Sequence, residues 1–430
     1  MTAEIALINR RALTFAADSA VTISDGTNDK IYNSAEKIFE VCRKVPVGLM
    51  LYNNMEFMGI PLDVISRNFR RDCDAKYKTI RAVADKFLDY LASCPRADED
   101  EFEHFGSIIR SELEDILLES KSGFQKFFLE KISEGDSDVA LKIEDLSQEY
   151  LISIINKHKD IHDGSRLVGF CDAIDISSFW ERYGDSVTAI TKATLRGRAG
   201  NDAVMECVRD LSYSIMKSSI FSDSLTGLVF GGFGEDDIFP TVFYLEIDGI
   251  YFGQIKVNAC REIDIDRRGT RAEIVPFAQR EVVERFLSGI DEDLQNKTLS
   301  YIKKTIEKIF QKISADVGVE LTDAGFSSDE YCRDIDRFMN RIKERSRLET
   351  LDMVDFMPKQ ELAYAAEALV SLTSMKRRVS AQQETVGGPV DVAVITKNEG
   401  FVWIRRKHYF SVELNPAYKS RAFGADLGDG

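Results

Sequence analysis

The residue with the most self-contained chemistry stands second in the chain. Thr2 follows Met1 directly, and threonine is small enough for removal of the initiator methionine. A mature N-terminal threonine carries a hydroxyl nucleophile and a base on one residue. An α-amino group titrates at about 7.7–8.0, so it is substantially neutral at working pH. It can take the hydroxyl proton directly or through one water. Attack on a carbonyl carbon by such a residue gives an acyl-ester and cleaves an amide bond.

Other reactive side chains offer less. The four His (104, 158, 162 and 408) make no His-Glu-x-x-His pair. His158 and His162 stand four apart on a helical stretch with no third ligand at metal spacing, which reads as a solvated face, so neither metal nor cofactor is implied. The seven Cys (42, 73, 94, 171, 207, 260 and 332) are scattered, odd in number and never Cys-x-x-Cys. That pattern reads as reduced thiols. Gly231-Gly232 and Gly387-Gly388 match neither Gly-x-Gly-x-x-Gly before a helix nor a P-loop. They read as glycines at strand ends and turns. Acidic runs such as Glu112-Leu113-Glu114-Asp115 read as solvated helix faces.

The elements that would position Thr2 lie in the first seventy residues. Thr2 to Asn9 and Leu13 to Ile23 read as strands around the polar corner Asn9-Arg10-Arg11. Lys37 to Cys42 and Val47 to Tyr52 read as a second hairpin, with Pro46 at its turn. A helix is expected over about Asn54 to Arg71, with Met55, Met58, Leu62, Ile65 and Phe69 on one face. From 72 to 219 the pattern is charged and helical. Strands return at Gly227 to Phe233, at Thr241 to Ile247 and, after the turn signal Asp248-Gly249, at Ile250 to Val257. Helices follow over Gln279 to Leu287, about 291–347 and Pro358 to Arg378, before a final hairpin of Val390 to Thr396 and Phe401 to Lys407. Antiparallel strands flanked by helices argue for an α+β fold and against a parallel Rossmann sheet.

At this point the chain resembles the proteasome β-subunit and HslV group of N-terminal nucleophile hydrolases. The resemblance rests on Thr2 opening a strand and on Asp18 sixteen residues later (18 − 2 = 16). It extends to Ser19 and Thr22, to Lys37-Ile38-Phe39-Glu40 opening a later strand, and to the loop Tyr52-Asn53-Asn54 before a long helix. It implies a four-layer αββα sandwich of two antiparallel sheets. The core would be 1–71, 226–290 and 358–410, with helical insertions at 72–219 and 291–350 and a loose tail at 411–430. It implies Thr2 as nucleophile with its amine as base, Lys37 as the charge that lowers the nucleophile's pKa, and Asp18 as the acid that holds Lys37. Ser19, Thr22 and a backbone N–H near Asn53 would contact substrate and oxyanion. Lys30, in a Gly/Asn-rich loop, is the competing lysine.

The chain departs from the family pattern in several places. Asn53-Asn54 replaces a Gly pair, and no Ser lies within Ile274 to Gln279. Glu384 and Thr385 stand as accessory substitutes for a late Asp and Ser, and the spacing from Asp18 to Lys37 is longer than usual. The resemblance further implies a peptide or protein substrate, a homo-oligomer or ring, and an ATP-driven unfoldase as partner. Two other readings compete. One is a catalytically inactive proteasome-like scaffold that binds a partner or assembles through its insertions. The other is an acidic helical interaction protein with an unrelated β core.

Composition narrows the field. At 430 residues the chain exceeds the roughly 250–300 at which single cores stop growing. With 56 Lys+Arg against 72 Asp+Glu the net charge is −16, which disfavours nucleic acid as the main partner. No stretch reaches the roughly 18 apolar residues of a membrane span. An acid at position 4 before Arg10-Arg11 is the wrong order for a secretory signal. A cytoplasmic protein without membrane contact is expected.

Overall fold

The computed structural model describes residues 3–24, 29–73, 75–133, 143–197, 201–318, 326–379, 387–411 and 413–415. Strand β1 (Ala3–Asn9) shows how side-chain alternation builds the core. Ala3, Ile5 and Leu7 point to one face while Ala6 and Ile8 point to the other, and all are buried. Burial on both faces explains its near-continuous apolar run. β1 lies between β2 (Leu13–Ala17) and β12 (Ala272–Ala278), and β13 (Asp391–Thr396) and β14 (Gly400–Arg405) complete an antiparallel sheet ordered β12-β1-β2-β13-β14. A second antiparallel sheet runs β11 (Gln254–Asp264), β10 (Thr241–Tyr251), β9 (Thr226–Gly232), β6 (Val47–Asn53), β5 (Ile38–Cys42).

One apolar cluster joins the two sheets, with Phe15 and Ala393 of the first against Met50, Val229 and Val242 of the second. On the far face of the second sheet, α1 (Leu62–Asp72) and α2 (Ile80–Ser93) bury Ile65, Phe69 and Phe87 against Leu49 and Phe230. On the far face of the first, α7 (Arg280–Ser288), the end of α9 (Ser328–Phe356) and α10 (Lys359–Arg378) bury Val283, Val354 and Leu369 against Ile5 and Leu7. The fold is therefore α+β with antiparallel sheets. Helices α3 (Asp98–Ser133), α4 (Ile143–Gly164), α5 (Ile176–Leu195) and α6 (Asp202–Lys217) make a separate apolar cluster that meets the sheets at Tyr251. α8 (Glu292–Val317) pairs with α9. Among the described residues no helix is long and apolar enough to cross a membrane.

Several elements differ from the sequence expectation, each for a local reason. The strand expected over Leu13 to Ile23 breaks after Ala17, and β3 (Val21–Ser24) pairs with β4 (Asp29–Tyr32) in a separate ribbon. That ribbon accounts for the long spacing between Asp18 and Lys37. The helix expected from Asn54 begins only at Leu62. Before it, β7 (Glu56–Phe57) and β8 (Ile60–Pro61) turn through Met58 and Gly59, both at positive φ. Pro61 stands just before the helix, where it removes no helical hydrogen bond. Asp248-Gly249 is not the hairpin turn. β10 continues past it with a pairing irregularity, and the turn falls at Phe252-Gly253, both at positive φ. The overlooked β12 is an edge strand that carries Pro276, a position where proline is tolerated.

The sheets approach closely at two glycines that face each other in register, Gly48 and Gly231. A Cβ on Gly231 would lie 2.3 Å from Leu13 Cδ2, and one on Gly48 would lie 2.7 Å from Ile395 Cδ1. We expect Gly231→Val to lower the urea midpoint by an amount equivalent to about 1–3 kcal/mol, the usual cost of overpacking. Gly164→Ala, where nothing lies within 4 Å, serves as the control that leaves it unchanged or slightly raised. An unchanged midpoint in the Gly231 variant would contradict close sheet contact.

Candidate active site

The site begins where β1 begins. Pairing sets Glu4 opposite Ala17, and the next residue, Asp18, leaves the strand while still tied to β1. Its N–H donates to the Ala3 carbonyl at 3.1 Å, and its Oδ1 accepts the Ala3 N–H at 3.0 Å. Oδ2 accepts the N–H of Ala20 at 3.3 Å and of Gly387 at 2.9 Å. The β5–β6 hairpin holds Lys37 from the other sheet, with the Leu51 N–H donating to its carbonyl at 2.8 Å. Lys37 Nζ donates to Asp18 Oδ1 at 2.5 Å and lies 3.0 Å from Glu4 Oε1. All three side chains are fully excluded from solvent.

That arrangement has a chemical consequence. A buried ammonium is costly unless paired and hydrogen-bonded. Here two carboxylates hold it, and one of them is filled by main-chain donors on both oxygens. The lysine charge is thereby fixed within one hydrogen bond of the first residues of β1.

Ser19, expected to contact substrate, is fully buried. Its N–H donates to the Gly387 carbonyl at 3.1 Å and its hydroxyl to the Pro389 carbonyl at 2.5 Å, while its own carbonyl accepts the Ala35 N–H at 3.0 Å. These bonds tie the 387–389 segment to Asp18. Gly388 is at φ +76, and a Cβ there would lie 2.9 Å from that of Asn33, so this turn requires glycine. Asn53, at the end of β6, has φ +68. Asparagine is among the few residues other than glycine that enter this left-handed region readily, which accounts for its place where the family pattern has glycine. Its side-chain amide donates to the carbonyls of Asp223 at 3.1 Å and Leu225 at 2.8 Å, and that of Asn54 donates to Ser224 at 3.2 Å.

The loop they hold is anchored from its other side. Ser222 donates from its N–H and hydroxyl to Asp248, at 2.8 and 2.7 Å. Burial pushes the Asp248 carboxyl up, but His104 and these Ser222 bonds outweigh it and hold the group below its ordinary value. Nearby Lys256 is pushed down to about 8 by burial, with Asp248 opposing.

Asp18 and Lys37 are thus brought together, and Asn53 closes the neighbouring strand of the second sheet. Lys30 lies exposed on β4, away from this cluster. The Thr22 backbone lies in β3 opposite Ile31, and its side chain is outside the described residues. Thr2, Glu384 and Thr385 also lie outside them. The segment lacking a family serine is the end of β12 followed by Gln279, which precedes α7.

Two contributors were missed from sequence. In the sequence Glu4 is the one acid within the apolar run Ala3–Ile8, and that is the signal that it faces a buried cation. Gly387 reads in the sequence as a turn glycine, and nothing in its spacing points to Asp18. No protein-family model matches the chain, and no curated protein matches it significantly.

Removing the cation tests the cluster. We expect Lys37→Met, which leaves two buried carboxylates on one missing partner, to cost about 3–5 kcal/mol in urea unfolding. A cost under about 1 kcal/mol would mean that the pair is not buried.

Proposed function

We propose that the protein is an N-terminal threonine hydrolase of the proteasome-like type, built on a four-layer αββα sandwich and cleaving amide bonds in peptides. The observation that carries this reading is the solvent-excluded Asp18–Lys37 pair bonded to the start of β1. A buried lysine and an acid aimed at the beginning of a strand have little structural rationale on their own. An apolar pair of similar volume would be as stable or more so.

In this mechanism Thr2, freed of Met1, attacks the substrate carbonyl through its hydroxyl oxygen. The hydroxyl proton passes to the α-amine, and the carbonyl π electrons move onto oxygen to give a tetrahedral oxyanion. A backbone N–H near Asn53 donates to that oxyanion. On collapse the amide C–N bond breaks and the amine-borne proton goes to the leaving nitrogen, leaving an acyl-ester on Thr2. Water, deprotonated by the same amine, attacks the ester carbonyl, and the Thr2 oxygen leaves with a proton. Lys37 supplies fixed positive charge that favours the developing alkoxide, and Asp18 keeps Lys37 in place through a charge-assisted bond. The substrate is a peptide or protein segment. Homo-oligomeric or ring assembly and delivery by an ATP-driven unfoldase follow the same resemblance.

The test is turnover of a panel of peptidyl fluorogenic amides. Thr2→Ala should abolish hydrolysis with the circular dichroism spectrum unchanged, and Thr2→Ser should retain a measurable part of it. Equal turnover in wild type and Thr2→Ala would overturn the mechanism. A wild type without turnover on any member of the panel would favour the inactive-scaffold reading.

A further inference from the structure

Helices α8 and α9 form a pair whose apolar residues are left largely uncovered. None of the described apolar side chains of α8 is buried, and on α9 apolar burial begins only at Leu351. The two helices run antiparallel and meet mainly through polar groups. Lys303 Nζ lies 2.6 Å from Asp329 Oδ1. Gln295 Nε2 donates to Asp336 and Asn340 at 2.6 and 2.9 Å, and Lys343 Nζ donates to Gln295 at 2.8 Å. The Phe310 and Tyr331 rings, 6.1 Å apart, add an aromatic contact across this seam. Helices in proteins draw most of their stability from packing an apolar face, and a polar seam supplies little of it.

The apolar residues lie to one side of that seam. Ile302, Ile306, Ile309 and Ile313 on α8, and Tyr331, Ile335, Phe338 and Ile342 on α9, repeat the same 4-3-4 spacing. Such spacing makes a single stripe along a helix. At about 100° per residue each stripe is turned counter-clockwise from the seam, seen from its own helix's N-terminus. In an antiparallel pair the same sense of turn puts both stripes on one side. The pair is therefore a two-helix layer with one apolar face. Phe338, Ile342 and Ile309 are 57%, 53% and 50% exposed there. At about 150–250 Å² for a large side chain, the stripes leave on the order of 600 Å² uncovered. That is the upper end of a monomer's largest apolar patch, about 300–600 Å². It nears the roughly 800 Å² that each partner gives a stable dimer.

We infer that this face is covered by the same face of a second copy, the two α8–α9 layers closing into a four-helix bundle about a two-fold axis. Charge favours a second copy as the occupant. The two helices together carry 11 Lys+Arg against 12 Asp+Glu, whereas the whole chain stands at −16. Copies that meet here avoid the repulsion between their remaining surfaces. The charge is also divided within the pair. From 297 to 312 α8 holds five Lys and one Glu, while 328–336 of α9 hold four acids and one Arg. A two-fold axis along the helices sets each α8 over the other copy's α9, so the opposed signs meet twice. Both helices lie largely in the insertion that the hydrolase resemblance leaves unmatched, and the inference does not depend on that reading.

Sedimentation equilibrium of the full-length protein tests this. A mass of at least two chains is expected, halved in Ile309→Glu and in Ile342→Glu with the circular dichroism spectrum unchanged. Both positions are exposed in the single chain, so its fold tolerates the charge. A ring built by the core would also halve in these variants, because the bundle would be what joins its copies in pairs. Val168→Glu, an equal change at an exposed apolar position outside the pair, should leave the mass unaltered. Lys308→Glu combined with Lys312→Glu, at exposed positions, should weaken association tenfold or more and tests the charge argument without touching the apolar face. Thr2→Ala should associate as the wild type does, which keeps this inference apart from the hydrolase reading. A monomeric wild type would overturn it. Hydrogen exchange would then name the other occupant, a segment of this chain if the amides of 299–313 and 331–342 are protected and a different protein if they are not. A mass unchanged in all the α8 and α9 variants would overturn it equally.

Discussion

A single ammonium group, sealed from water between two sheets, sets the most demanding constraint in the molecule. Lys37 comes from the second sheet, while Glu4 and Asp18 come from the first, so their ion pairs form only when the sheets are stacked in register. Bringing these charges out of water costs several kcal/mol per ion before pairing. The arrangement persists because the acceptors are held independently. Asp18 is fixed by main-chain donors from β1 and from the 387–389 turn, which lie at opposite ends of the sequence. Closing the fold and building the site are therefore one event. The chain's last strands complete the shell of a residue near its start.

The rest of the architecture serves that close approach. Facing glycines at 48 and 231 let large side chains of the first sheet sit directly on the second. The outer helices cover the remaining faces, and the Asn9 corner is locked to the end of α9 by bonds from the Asn9 amide to Val354 and Met357, at 2.9 and 3.0 Å. The α3–α6 cluster adds a surface of a different kind. It hangs from the second sheet at Tyr251 and reaches the loop that Asn53 also holds.

The sequence revealed what depended on periodicity and missed what depended on long-range geometry. The two N-terminal hairpins, the helical stretch after residue 72 and the final hairpin were legible because their apolar residues recur at two- or 3.6-residue spacing. β12 was not, because Pro276 and a short polar lead disguise an edge strand. The helix expected from Asn54 failed where Gly59-Ile60-Pro61 gave a visible stop signal that the apolar periodicity outweighed. Asp248-Gly249 looked like a turn, yet Asp248 is drawn away to bond Ser222. Within the site, the Asp18–Lys37 pairing was readable from the resemblance. Glu4 and Gly387 were not, since their role exists only after residues near both ends of the chain meet.

The most direct test of the central claim is the intact mass of the purified protein after exposure to an electrophile that bonds both the hydroxyl and the amine of an N-terminal threonine. The account predicts loss of Met1 and a single adduct, absent in Thr2→Ala. Met1 retained, or a mature Thr2 that takes no adduct, would contradict it.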